Sequence, residues 1–208
     1  ILKIGLPAGF EAIMYSISNI IVQVSINNFG VDTMAAWTAY SKIDFIFWMI
    51  NSAFGISVMT FVGQNYGAGK WDRIRRGTKF CLGMALISAV SVSIILMSAE
   101  RFLFGIFVND AGVVEIGIRM MNVIAPAYLL FAFIEVFSGA LRAQGAVVVS
   151  TLITMVGICV LRMIWVTLVA VHGTLEQVII CYPITWAAGA LAMSIYYIYK
   201  QRKIFQAR

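Results

Sequence analysis

The sequence predicts an all-α integral membrane protein, a bundle of six transmembrane helices, and three observations predict it. Six long apolar runs take up most of the 208 residues. Hydrophobic residues make up 62% of the chain and charged ones 12%, with a mean hydropathy of +0.93. A water-soluble domain of this length has too small an interior for so much apolar surface. Finally, Lys and Arg collect in alternate connections, as they do when a chain is inserted with its basic loops inside. Crossing roughly 30 Å of hydrocarbon takes about 20 mostly apolar residues. Runs of that kind cover residues 4–27, 34–66, 78–97, 115–141, 147–171 and 175–200. They lack the short alternation that a transmembrane barrel needs.

The first run carries Glu11 about 12 Å along its axis, at a rise of about 1.5 Å per residue. Tyr15, Ser18, Asn19 and Gln23 follow on the same face. Such a stripe either lines a cavity or bonds to neighbouring helices. A brief connection at 29–33 predicts a helical hairpin. The second run exceeds one span and is expected to continue as helix into the cytoplasm. It places Asp44 near mid-membrane, on a face with Tyr40, Ser41, Trp48, Asn51 and Ser52. Lys42 is two residues away, on another side of the helix. Asp44 reads as a cavity-facing titratable group; the alternative is a fixed ion pair with Arg162 or Lys42. Residues 63–70 (GQNYGAGK) predict a flexible glycine-rich exit.

The third run is plain. It follows a basic cluster, Lys70, Arg73, Arg75, Arg76 and Lys79, and leads into an amphipathic connection at 100–110 expected at the outer interface. In the fourth run Pro126 is expected to kink the helix and Arg119 to snorkel outward. Glu135 shares a face with Tyr128, Phe131, Ser138 and Arg142. Its depth matches that of Glu11, so the two carboxylates could share a proton or a sodium ion if their helices are neighbours. Pairing of Glu135 with Arg142 is the alternative. The fifth run buries Arg162, and the sixth contains Pro183, a second expected kink. An ionisable group at membrane depth costs a few kcal/mol on insertion scales, which draws attention to Glu11, Lys42, Asp44, Glu135 and Arg162.

The same residues exclude other classes. The net charge of +6 follows the topology and is not a nucleic-acid footprint. Residues 63–70 miss the phosphate-loop spacing by one residue, and Trp71 stands where Ser or Thr would hold magnesium. Cys81, Cys159 and Cys181 lie inside apolar runs without ligand spacing. A single histidine, His172, and the lack of any metal motif or paired nucleophile and base speak against an enzyme. The first residue is Ile1 and no cleavable leader pattern is present, so a piece of a longer polypeptide without a signal peptide is expected.

The segment Gly5-Leu6-Pro7-Ala8-Gly9-Phe10-Glu11, followed by Ser18-Asn19 and Gln23, resembles the seventh helix of multidrug and toxic compound extrusion (MATE) transporters. Residues 35–44 (AAWTAYSKID), continuing through Asn51-Ser52 to Gly63-Gln64-Asn65, resemble the eighth helix. Ser138-Gly139-Ala140-Leu141-Arg142 and Leu161-Arg162 are similar to the tenth and eleventh. The resemblance implies one six-helix lobe, the C-terminal one spanning 1–208, of a twelve-helix antiporter that exchanges drugs or organic cations for Na⁺ or H⁺. The chain departs from the pattern at two places. Tyr15 stands where some branches carry an essential acid, with Glu11 one turn earlier. Phe131 falls near the place of their tenth-helix acid, with Glu135 a turn later. No coupling-ion site therefore carries over.

The combined expectation is a lobe of a bacterial inner-membrane carrier, both ends of the segment cytoplasmic, working by alternating access with an N-terminal lobe of the same polypeptide. Its partners would be small organic cations and membrane lipids, with Na⁺ or H⁺ as coupling ion and no cofactor. Asp44, Glu135 and Glu11 are expected to meet in one wet cavity and set its charge, beside Tyr15 and Asn19. Tyr40, Trp48 and Asn51 are expected to touch substrate, Trp48 by cation–π contact. A lipid-linked oligosaccharide flippase of the same broad superfamily is the rival; its cavity would be rich in Arg.

Overall fold

The computed structural model describes residues 2–169 and 173–206; side chains are described except at 2–4, 8 and 205. His172, Val171 and Arg208 lie outside the described residues, as does the side chain of Lys3. The described chain is helical throughout: α1 (Leu2–Asn27), α2 (Val31–Gly67), α3 (Trp71–Ser98), α4 (Glu100–Phe107), α5 (Ala111–Ile124), α6 (Tyr128–Ala143), α7 (Val147–Thr154), α8 (Leu161–Leu168), α9 (Leu175–Ile179) and α10 (Cys181–Gln206). Six continuous or nearly continuous helical stretches are long and apolar enough to cross a membrane: Gly5–Asn27, Val31–Gly67, Trp71–Ser98, Ala111–Ala143, Val147–Leu168 and Leu175–Ile204. In hydrocarbon every backbone polar group must be bonded within its own segment, and helices satisfy that.

Several boundaries differ from the sequence reading, each for a local reason. The first hairpin is tighter than expected, because Gly30 at φ 96° turns the chain and α2 starts at Val31. The glycine segment is not a loose exit. Gly63 and Gly67 stay inside α2, the turn is made by Gly69 at φ 66°, and the basic stretch forms the first turns of α3. At 37 residues α2 is roughly 55 Å long, well beyond the hydrocarbon thickness. Residues 100–107 form the short helix α4, which buries Phe104 and exposes Phe102 and Ile106. Asp110 caps α5 by accepting from the backbone N–H of Gly112 and Val113.

Both prolines interrupt their spans. Pro126 sits in a 3₁₀ turn, Ala125–Ala127, that joins α5 to α6. Pro183 lies in the first turn of α10, and the break falls at Ile180, where the ring would otherwise meet the Ile179 carbonyl. The fifth span holds a π-helical turn, Met155–Val160, that the sequence reading did not foresee. Gly157 in that turn approaches α10 so closely that a Cβ would stand 3.3 Å from Gly189 Cα.

The pair α2–α6 is the central seam, with α3 and α5 against α2 and α10 against α6. Small residues let the backbones close: a Cβ on Gly139 would lie 2.8 Å from the Gly55 carbonyl oxygen. Phe47 and Tyr128 stack across the same seam at 3.9 Å. By contrast, α1 leans on α7, α8 and the π turn and touches α2 only sparsely. That gap between α1 and α2 is where the cavities open. Large apolar side chains, such as Phe80, Ile87 and Ile94 at seven-residue spacing on α3, project outward as a membrane-facing surface should.

Candidate functional site

Two cavities share a wall between α1, α2 and α10. The larger, about 580 Å³, is lined by Glu11, Tyr15 and Asn19 of α1, Trp48 and Asn51 of α2, Glu135 and Arg142 of α6, and Arg162 of α8. The smaller, about 330 Å³, is lined by Asp44 and by Trp37, Tyr40, Trp48, Tyr182 and Trp186. Asn19, Phe45, Trp48 and Tyr182 border both. The eight residues singled out in the sequence thus all line one cavity or the other, but the three carboxylates do not meet in one.

Glu11 is the clearest correction. Its carboxylate accepts from Arg142 Nη2 at 2.7 and 2.9 Å and from Thr151 Oγ1 at 3.0 Å, and the residue is only 8% exposed. The stripe on α1 is therefore interhelical glue at its N-terminal end and cavity wall further along. Glu11 ties α1 to α6 and α7 and is not a free carboxylate. The alternative pairing of Arg142 with Glu135 does not form; Arg142 turns to Glu11 because α1 brings that carboxylate to the C-terminal end of α6.

Glu135 projects across the seam onto α2, where Gly55 leaves room for it: a Cβ there would overlap the carboxyl group. Arg142 and Glu11 are its neighbouring charges. Among the described residues no cation lies within ion-pair distance of Glu135.

Asp44 accepts hydrogen bonds from Trp48 Nε1 and Tyr128 Oη, both at 2.5 Å. Tyr128 in turn bonds the hydroxyl of Tyr40, which is 2% exposed. The alternative ion pair with Arg162 or Lys42 does not form among the described residues. Lys42 points outward, and Arg162 belongs to the other cavity. Among the described residues Asp44 is thus the sole charged side chain lining the smaller cavity, held by neutral donors and walled by rings. Trp37–Tyr40 and Tyr182–Trp186 have centroids 5.3 and 5.6 Å apart.

Four contributors escaped the sequence reading. Tyr128 enters it only as a face-mate of Glu135, Tyr182 and Trp186 do not enter it, and Arg162 enters it as a charge inside a span and a partner for Asp44. Arg162 was already visible as a charge inside a span; what no pattern supplied was its position. It is 2% exposed, donates from Nη1 to Asn19 Oδ1 at 3.2 Å, and lies 4.2 Å over the Tyr182 ring. In formal charge the larger cavity balances, Glu11 and Glu135 against Arg142 and Arg162. No cluster of three or more metal-ligating side chains occurs among the described residues.

Comparison with known proteins places this geometry. The MatE family model matches residues 7–168. A probable multidrug resistance protein of Bacillus subtilis, YoeA, is 25% identical over 98% of this chain and 45% of its own length. Human multidrug and toxin extrusion protein 1 is 23% identical over 73% of this chain and 28% of its own. An outward-facing multidrug resistance MATE family transporter superposes with a TM-score of 0.89 at 16% identity, over 99% of this chain and 47% of that one. The chain spans less than half the length of each of these relatives.

Proposed function

The chain belongs to the MatE family, and from that premise we propose that it is the C-terminal lobe of a bacterial inner-membrane antiporter that expels small organic cations. The observation that carries the reading is Asp44, a carboxylate bonded only by neutral donors inside an aromatic-walled cavity. A flat or quaternary cation gains there from the faces of Trp37, Trp48 and Trp186 and from a charge poorly screened by solvent. Export runs by alternating access: a second lobe of the same polypeptide rocks against this one around the substrate. Na⁺ or H⁺ enters from outside and is taken by Glu135, whose carboxylate makes no ion pair among the described residues. Both ends of this segment face the cytoplasm, in keeping with Arg73, Arg76 and Lys79 on that side.

The test is Asp44→Asn in the full-length polypeptide carrying this lobe. Efflux of a cationic dye from energised cells should fall about tenfold or more at unchanged protein level, since a charge-assisted contact is lost. Wild-type efflux in that variant would remove Asp44 from the mechanism. The flippase reading draws on Arg142 and Arg162 in the larger cavity. It is weaker, because a pyrophosphate entering there would also meet Glu11 and Glu135, and flipping of a fluorescent lipid-linked oligosaccharide in proteoliposomes is not expected.

A further inference from the structure

We propose that the groove between α2 and α3 binds an anionic phospholipid, with one acyl chain in the groove and the phosphate headgroup against Arg73 and Arg76. The inference goes beyond the efflux reading and does not depend on it; it needs only that the six helices span a bilayer. The groove encloses about 230 Å³ and is lined by Ser57 and Phe61 of α2 and by Gly77, Phe80, Cys81 and Met84 of α3. None of these side chains carries a charge, and the Cys81 thiol is turned to the Phe54 carbonyl. Gly77 shapes the wall: a Cβ there would overlap the Phe61 ring, so the ring reaches the α3 backbone. Phe80 and Met84 are exposed, as are Ile87 and Ile94 further along α3. An apolar cleft on such a face is covered by hydrocarbon, and an acyl chain is the occupant that a bilayer supplies.

Charge selects among lipids. Arg73 stands one helical turn before Gly77 and shares a face of α3 with Gly77, Phe80 and Met84. Arg76 stands one turn before Phe80 and flanks that face. Both arginines are exposed, and neither makes an ion pair among the described residues. The helix rises about 12 Å from Arg76 to Met84, so the two cations stand at the end of the groove, where a headgroup sits on its chain. Tyr66 and Trp71 meet edge to face at 5.0 Å in the turn beside them, and such rings border membrane interfaces. Asp72 is the only acid among residues 70–79, so a phosphate there meets net positive charge. Insertion with basic loops inside accounts for the number of these cations but not for their alignment with a dry groove. Lys79 marks the difference: two residues past Gly77, it lies on another side of the helix. Guanidinium groups pair with the phosphate of an anionic headgroup, whereas a zwitterionic headgroup brings its own cation and gains less.

The test places the full-length polypeptide carrying this lobe in phosphatidylcholine nanodiscs. Trace phosphatidylglycerol or trace phosphatidylcholine, each with a diazirine in one acyl chain, is added and irradiated, and adducts are located by peptide mass spectrometry. In wild type, phosphatidylglycerol should label residues 77–84 at least about fivefold more than phosphatidylcholine does. Arg73→Gln/Arg76→Gln should bring the two lipids to within about twofold of each other, while Lys79→Gln keeps the preference. Gly77→Leu, which puts a side chain into the groove, should lower labelling by both lipids. Equal labelling in wild type would overturn the site and leave ordinary annular lipid. A preference lost as fully in Lys79→Gln would overturn it too, as diffuse surface charge, and so would one that survives the double arginine variant. Labelling unchanged in Gly77→Leu would remove the acyl chain from the groove. Transport is not read, so none of these outcomes bears on the efflux reading. The wild-type ratio needs no variant, so the site stays testable if a variant fails to fold.

Discussion

A single buried contact decides what Glu11 does. Its partner Arg142 has a side chain 27% exposed against 10% for Glu11, so removing either leaves a poorly solvated charge behind. Arg142→Gln is expected to destabilise the lobe by about 3 kcal/mol, and the double variant Glu11→Gln/Arg142→Gln by distinctly less, because breaking one half of a buried pair costs more than replacing both. Thermal unfolding of the detergent-solubilised protein checks the order. Were the double variant no more stable than the single, the pair would not be what fixes α1 to α6. Glu135 behaves differently: its setting depends on a missing side chain, Gly55, and not on a counter-ion.

Helix contacts set the next constraint. The α2–α6 seam closes on Gly55 and Gly139, where a Cβ on Gly139 would meet backbone that cannot swing away. Gly139→Ala should therefore cost about 1–3 kcal/mol, the usual penalty of overpacking. Gly63→Ala, with only Ala143 Cβ at 4.0 Å, should unfold at nearly the wild-type temperature. Equal losses in the two variants would contradict the close approach. The π turn Met155–Val160 stands between Thr154 and Arg162, both on the cavity wall. Such turns are frequent at functional sites. Here it lets one span pass close to α10 at Gly157 and still present Arg162 inward.

For the whole molecule, the testable quantity is orientation. The natural cysteines Cys81, Cys159 and Cys181 are buried and free, which gives a quiet background for labelling. A single cysteine at Lys79 should react with a membrane-impermeant maleimide only from the cytoplasmic side, and one at Asn109 only from outside, as the basic-loop rule requires. Reversed labelling would invert the proposed direction of transport. Near the C-terminal end of α10, Lys200 Nζ donates to the Gln144 carbonyl at 3.0 Å and Gln201 Nε2 to its side-chain oxygen at 3.0 Å, so α10 is fastened to the α6–α7 turn. That fastening suits a lobe moving as a unit.

How much of this was legible in the chain itself differs by level. The six spans could be read directly, because a lipid solvent demands long apolar helices whatever they pack against. The resemblance of residues 5–11, 35–44 and 138–142 was likewise available, since it depends on order along the chain. The special charges could be named too, as Glu11, Asp44, Glu135 and Arg162 each stand out against hydrocarbon-compatible neighbours. Their partners could not. Periodicity places a residue on a face of its own helix and says nothing of which helix lies opposite. Only the packing of α1 on α7 and α8, and of α2 on α6, gave Arg142 to Glu11, surrounded Asp44 with tyrosine and tryptophan, and brought Glu135 and Arg162 to one cavity.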